Sequence, residues 1–274
     1  MEERAHGATP GLRRDYGMRT AEQQAAFVLP HLRPGMRLLD VGCGPGSISI
    51  GLARAVAPGH VTGIDHDEKH IEAACRGAAA AGVTNVTFRV GDALSLPFEN
   101  DSFDVVFENN VFIHLAEDAA RAAVEIHRVL KPNGLFAARD VDTDSVVWGH
   151  RTNAIRELNQ LFVTWQRSRG SDTTLGSRLP DILREAGFAD VVKSVSADTK
   201  GDPESVRSHA AITVSLLEGP FGRDALENDW VDLSTIERLK DAVQEWGEHP
   251  DAFFGNVHVE VVGWKRELSV SSPS

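Results

Sequence analysis

Between residues 36 and 139 the chain alternates short apolar runs with longer segments whose apolar positions recur at helical spacing. The runs at 36–41, 61–64, 86–90, 103–107 and 135–139 predict five strands, the first apolar enough to be buried on both faces of a parallel sheet. Helices are expected at 47–56, stopped by Pro58-Gly59, at 68–81, closed by Gly82, and at 117–130, ended by Pro132-Asn133-Gly134. Strand–helix alternation of this kind implies right-handed crossovers and a doubly wound, Rossmann-like α/β sheet, with ligands at the carboxyl ends of its strands.

The flanks depart from this rhythm. Thr20-Ala21-Glu22-Gln23 reads as a capping box opening a helix towards Leu29, so residues 1–31 form an N-terminal arm and cap helix. The core runs from 32 to 144, and after Asp140 a helical cap insertion at 145–170 carries Trp148, His150, Phe162 and Trp165. Residues 171–266 return to the sheet and add substrate-side helices: a helix at 177–186, a strand at 191–196, a helix opened by Asp202-Pro203-Glu204, and another capped at Ser234-Thr235-Ile236-Glu237. The run 253–264 sets Val257, Val259 and Val261 on one face and is expected as a last, antiparallel strand. Residues 267–274 read as a disordered tail.

Composition narrows the class. With 42% hydrophobic and 25% charged residues the chain has the balance of a folded soluble protein. A net charge of −12 without a dense Lys/Arg run repels a phosphate backbone, which argues against nucleic acid as partner. Cys43 and Cys75 show neither metal-ligand nor disulfide spacing, and Met1-Glu2-Glu3-Arg4 puts acids where a signal peptide is basic. A reducing cytoplasm, no membrane insertion and no metal are therefore expected.

The chemistry centres on Leu38-Leu39-Asp40-Val41-Gly42-Cys43-Gly44-Pro45-Gly46, a strand running into three alternate glycines ahead of a helix. A dinucleotide fingerprint needs a glycine at the sixth position, but Ser47 or Ser49 stands there, which disfavours a nicotinamide oxidoreductase. Strand ends supply Asp40, Asp65, Asp92 and Glu108 along one sheet edge. Asp65 lies near the twenty-residue interval at which a carboxylate reaches ribose hydroxyls.

This Asp-x-Gly-x-Gly-x-Gly loop resembles motif I of the class I S-adenosylmethionine-dependent methyltransferases. Gly91-Asp92, Leu96-Pro97-Phe98, Ser102-Phe103-Asp104-Val105-Val106 and Val129-Leu130-Lys131-Pro132-Asn133-Gly134-Leu135 extend the resemblance over about residues 32–141, most similarly to the ubiquinone/menaquinone-biosynthesis-like small-molecule branch. The resemblance implies S-adenosylmethionine as cofactor and S-adenosylhomocysteine as its product. It places Asp65 at the ribose and Asp92 with Ala93 at the adenine, and His66 is a further cofactor-binding candidate. Gly42, Cys43, Gly44, Gly46 and Asn109 fall at the methionine end, with Asp40 offsetting cationic charge there. Tyr16 and Arg19 of the arm are candidates for the cofactor's carboxylate.

Methyl transfer is an in-line displacement that asks mainly for proximity and alignment. Where the acceptor needs a base, His114, just past the fourth strand, is the first candidate, with Glu108 and Asp140 behind it; Asp142 and His150 also lie near the opening. A histidine that merely packs the next helix is the competing account of His114. Trp148, Phe162, Trp165 and Phe221 are read as cap packing ahead of an acceptor pocket. The expected activity is methyl transfer to an O, N or C atom of a small, partly apolar metabolite. Open alternatives are a cyclisation, elimination or decarboxylation on the same cofactor, and a non-catalytic binding module. A homodimer is allowed, though no residue specifies one.

Overall fold

The computed structural model describes residues 19–266. Tyr16, the rest of the arm before residue 19 and the tail 267–274 lie outside the described residues. The chain divides into two compact units, the larger holding residues 19–140, Leu175–Val195 and 259–266, the smaller Val141–Thr174 and Ser196–His258.

In chain order the elements are α1 (Ala21–Gln24), β1 (Arg37–Val41), α2 (Ser47–Val56), β2 (His60–Asp65), α3 (Glu68–Ala80), β3 (Val86–Val90), β4 (Phe103–Asn109), α4 (Phe112–Leu115), α5 (Ala119–Val129) and β5 (Leu130–Val141). There follow β6 (Val147–Trp148), α6 (Asn153–Ser168), α7 (Leu175–Glu185), β7 (Ala189–Lys200), α8 (Pro203–Glu218), α9 (Pro220–Glu227), α10 (Leu233–Glu248) and β8 (Phe254–Trp264).

In the larger unit the strands run β3-β2-β1-β4-β5-β8, with β7 also paired to β8. The pairs β1–β2, β2–β3, β1–β4 and β4–β5 are parallel. Asn133 N–H donates to Lys265 O at 2.7 Å and Lys265 N–H to Gly134 O at 2.9 Å, while Asp142 N–H donates to Val257 O further along. Numbers rise along β5 as they fall along β8, so the last strand is antiparallel, as expected. Strand order reverses between β1 and β4, which makes their carboxyl ends the topological switch point where a ligand crevice forms in such sheets.

Alternation along the strands explains why both faces are covered. Leu39, Val41, Val106, Phe136 and Ala138 pack on one side with α5 and α7; Leu38, Val105, Phe107, Leu135 and Ala137 pack on the other with α2 residues Leu52, Ala53 and Val56. Each large side chain so buried contributes roughly 1.5–3 kcal/mol. Helix α5 buries Ala119, Ala122, Ala123, Ile126 and Val129, one stripe at helical spacing.

The smaller unit has its own core. Phe162, Trp165 and Phe221 pack ring against ring, with centroids 5.2–5.6 Å apart, and Trp148 packs on Trp246 and Phe254. These aromatics are packing residues, in line with the cap-packing expectation.

Several element bounds differ from expectation for local reasons. The helix expected to run from Thr20 towards Leu29 is only α1, because Ala25 leaves helical backbone at φ −124°, and the Thr20 side chain makes no cap bond. The helix expected at 117–130 is divided: α4 and a single turn at Ala116–Asp118 precede α5, with Ala116 at φ 49° at the break. The insertion begins not as helix but as β6, paired antiparallel through Val147↔Gly255 and Trp148↔Phe254. Helix α10 is capped by Asp232, which accepts from Thr235 N–H, rather than by Ser234.

Candidate active site

The site is built within the larger unit where β1, β2, β4 and β5 end. After β1 the chain turns through Gly42, Gly44 and Gly46 at φ 69°, 51° and 80°, left-handed backbone that side chains other than glycine tolerate poorly. Backbone bonds hold the turn, Cys43 N–H donating to Ile64 O at 2.9 Å and Gly46 N–H to Cys43 O at 3.0 Å.

What surrounds the glycines differs sharply. A methyl on Gly42 would stand 2.3 Å from Val111 Cγ2, and one on Gly46 would stand 2.7 Å from Ala74 Cβ and 2.8 Å from the Phe88 ring. A methyl on Gly44 would meet nothing within 4 Å. The outer glycines are small because protein packs on them, whereas the middle one borders open space.

Asp65, at the end of β2, stands beside that space. Its Oδ2 accepts from Gly44 N–H and its Oδ1 from Asp67 N–H, both at 2.9 Å. His70 Nδ1 and His66 Nδ1 each lie 3.4 Å from Oδ1, with His70 half-buried and His66 exposed. Burial pushes the Asp65 carboxyl up, but His70 and the two backbone donors outweigh it and hold it below its ordinary value. It is therefore ionised at neutral pH. Gly91 N–H donates to Asp65 O at 3.0 Å, which sets the end of β3 next to it; Asp92 is exposed and accepts from Leu94 N–H, and Ala93 is half-buried.

Asp40 is sealed instead. Its carboxyl accepts from the fully buried Ser49 Oγ at 2.5 Å, and burial raises it to about 7. Cys43 is buried too, and burial followed by the nearby Asp40 and Asp65 pushes its thiol up, so it is not a nucleophile at neutral pH.

At the other side of the switch point, β4 and β5 bring together three candidates and one residue that sequence reasoning passed over. Glu108 and Asp140 are fully buried. Glu108 accepts from Arg139 N–H and Val111 N–H, both at 3.1 Å, and Asp140 accepts from Phe112 N–H at 2.9 Å and Ile113 N–H at 3.4 Å. Burial, and after it the adjacent Asp140 carboxylate, push Glu108 well above the usual carboxylate range. His114, half-buried on α4, follows directly. Asn109 is half-buried at the end of β4, and its Oδ1 accepts from Arg139 Nη1 at 3.1 Å. Arg139, wholly buried and absent from the sequence-derived candidates, announced itself only as one charge within an apolar run.

The remaining candidates fall elsewhere. Arg19 is half-buried at the start of the described residues. Asp142 and His150 belong to the smaller unit, where Asp142 accepts from Ser145 Oγ and the His150 ring stacks on His249. A surface groove of about 320 Å³ between His31, Asp104, Lys131 and Trp264 holds none of the candidates.

Residues 32–187 match the sequence profile of a family described as a methyltransferase domain. The chain belongs to the class I S-adenosylmethionine-dependent methyltransferases. An uncharacterized methyltransferase of Schizosaccharomyces pombe is 31% identical over 274 residues, covering 96% of each chain. A demethylmenaquinone methyltransferase of Listeria monocytogenes is 30% identical over 174 residues, 59% of this chain and 73% of that one. Among solved structures, the YcgJ protein of Bacillus subtilis shares the fold at a TM-score of 0.58 and 21% identity, covering 89% of this chain and 98% of that one. As a member of this family the chain is an enzyme that uses S-adenosylmethionine. No helix among the described residues is long and apolar enough to cross a membrane.

Proposed function

We propose that this methyltransferase acts on a small, partly apolar metabolite and holds its cofactor along β1, β2 and β3. The observation that carries the cofactor pose is the contrast within the glycine loop: open space at Gly44, packed protein at Gly42 and Gly46, and an ionised Asp65 at the rim. A backbone that a Cβ would obstruct, next to a carboxylate with acceptor capacity left on Oδ2, fits a nucleoside approaching edge-on.

In this reading Asp65 accepts from the ribose hydroxyls, with His66 and His70 flanking it, and Asp92 with Ala93 borders the adenine. The loop and Asn109 hold the methionine end, and Arg19 with Tyr16 adds to its carboxylate side. S-adenosylmethionine supplies an electrophilic methyl on a sulfonium leaving group when bound. The chain's own contribution is alignment, worth up to about 7–11 kcal/mol in favourable cases. Asp40 stays behind the loop, where a cation nearby favours its ionised form.

Of the acid–base candidates we carry His114 forward. Glu108 and Asp140 have their carboxyl oxygens committed to backbone donors and hold the β4–α4 turn in place instead. The acceptor class rests on the similarity to relatives named as demethylmenaquinone methyltransferases.

Titration calorimetry with S-adenosylhomocysteine tests the pose. The wild-type chain is expected to bind in the micromolar range, and Asp65→Ala to weaken binding at least about 100-fold, near 2.7 kcal/mol. Equal affinity in the two would refute the assignment of Asp65. Transfer itself requires one S-adenosylhomocysteine released per product formed; product without it would overturn methyl transfer to this acceptor class.

A further inference from the structure

We propose that Arg139 is a positioning residue for the methionine end of the cofactor: its buried guanidinium takes the carbonyl oxygen of the Asn109 amide and leaves the amide NH2 as the group presented beside the glycine loop. The inference rests on the reading of the loop and Asn109 given above.

Register places the parts. β1 and β4 run parallel with Val41 opposite Glu108, so Asn109 stands level with Gly42, the first glycine of the loop. β4 and β5 run parallel with Asn109 opposite Arg139. Arg139 is 0% exposed, so it cannot touch a ligand itself. Its Nη1 donates to Asn109 Oδ1 at 3.1 Å and to Gln24 Oε1 at 2.7 Å, and its Nε lies 3.6 Å from Glu260 Oε1, a carboxylate that also accepts from Ser194 Oγ at 2.7 Å.

A guanidinium carries donors only. Whichever way an amide is drawn, the atom facing that donor must be its oxygen, so the orientation of Asn109 follows from chemistry. The NH2 is then turned away from Arg139, and a donor is what the carboxylate of an amino-acid moiety requires. Because arginine keeps its charge across the working range of pH, the orientation does not lapse with titration. Glu260 balances that charge inside the protein, and Gln24 ties the same nitrogen to α1. Arg139 thus joins β4, β5, β8 and α1 at one point behind the loop.

The test compares two ligands, S-adenosylhomocysteine and 5′-methylthioadenosine, which lacks the amino-acid end. Calorimetry is run on wild type, on Arg139→Met combined with Glu260→Gln so that no charge is stranded, and on Asn109→Asp, which keeps an oxygen for Arg139 but replaces the NH2 by a second acceptor. Both variants are expected to lose about tenfold or more in affinity for S-adenosylhomocysteine while binding 5′-methylthioadenosine within about twofold of wild type, about 1.4 kcal/mol of selective loss. If the double variant does not melt cooperatively, Asn109→Asp decides by the same pair of ligands. Wild-type affinity for S-adenosylhomocysteine in a folded variant, or equal loss of both ligands, overturns the inference alone. A wild-type chain that binds neither ligand overturns the cofactor pose as well.

Discussion

Gly44→Ala and Gly46→Ala are the same chemical change two residues apart, and they are expected to fail in opposite ways. Both force alanine into left-handed backbone, at about 1–2 kcal/mol each. At Gly44 nothing further is lost in the free protein, because the new methyl meets no atom within 4 Å. At Gly46 the methyl would stand 2.7 Å from Ala74 Cβ and 2.8 Å from the Phe88 ring, neither of which is a flexible chain end, and overpacking adds about 1–3 kcal/mol. With roughly 2–4 °C per kcal/mol for a chain of this size, Gly44→Ala should melt about 2–8 °C below wild type and Gly46→Ala about 4–20 °C below it. Saturating S-adenosylhomocysteine at a hundred times its Kd stabilises the wild type by about 2.7 kcal/mol, an upward shift of roughly 5–10 °C. Thermal melts with and without the ligand read both effects. Gly44→Ala should keep most of its stability and lose the ligand-induced shift. A Gly44→Ala variant that shifts as far as wild type would show that the open side of this glycine is not where the cofactor lies.

Three other outcomes follow from the acids and the histidine. Asp40 is raised from 3.8 to about 7, so between those values the folded protein holds a proton that the unfolded chain has lost; stability from this group is full below pH 4 and falls as pH rises to 7. Asp40→Asn should therefore flatten the decline in urea-unfolding free energy across pH 4–7, and an unchanged slope would refute the raised value. Glu108→Gln keeps one oxygen for one of the Val111 and Arg139 N–H groups and sets its NH2 against the other, so it should cost about 1–3 kcal/mol in chemical denaturation, and Glu108→Ala, which strands both, about 2–5 kcal/mol; a Glu108→Gln enzyme of near-wild-type stability that is reduced a hundredfold at saturating substrate would restore Glu108 as a catalytic acid or base. His114→Gln should lower kcat by about 10²–10⁴ with the cofactor Kd unchanged, and a loss below threefold would reduce His114 to helix packing.

The sheet was legible because its strands are short apolar runs with glycine or an acid at their ends, and those signals are local. Asp65 could be placed from its interval to Gly46, and Asp92 from Gly91 before it. What could not be read depends on strand order. Glu108 and Asp140 lie 32 positions apart, and only the β4–β5 pairing sets the two carboxyls side by side. Arg139 and Gln24 lie 115 positions apart, and no spacing rule connects them. Ser49 looked like one more residue of an amphipathic helix, yet its hydroxyl is what closes Asp40 off. The short strand β6 was missed because two residues carry no periodicity, and its pairing is written in Phe254 and Gly255 a hundred positions later.

The acids at this sheet edge show why residue type alone does not assign a role. Asp40, Asp65 and Glu108 end adjacent strands and would look equivalent in a motif. Three environments separate them. Asp65 is buried but bonded to His70 and to the Asp67 and Gly44 N–H groups, which favour the charged form, so it remains an acceptor at neutral pH. Glu108 is buried beside the Asp140 carboxyl, and burial followed by that neighbour pushes it well above the usual carboxylate range. Asp40 is buried with the Ser49 hydroxyl as its donor and the Asp65 carboxylate nearby, and burial raises it to about 7, which leaves it poised between the two states. On the proposed pose this division suits a sulfonium cofactor: Asp65 offers negative charge to the ribose hydroxyls, and the ionised form of Asp40 is favoured behind the loop when positive charge enters. Replacing Asp40 should on this reasoning weaken binding of S-adenosylmethionine more than of S-adenosylhomocysteine, which lacks the sulfonium charge, most visibly above pH 7. Parallel calorimetry of Asp40→Asn with the two ligands measures the difference, and an equal loss for both would show that Asp40 serves the loop's packing alone.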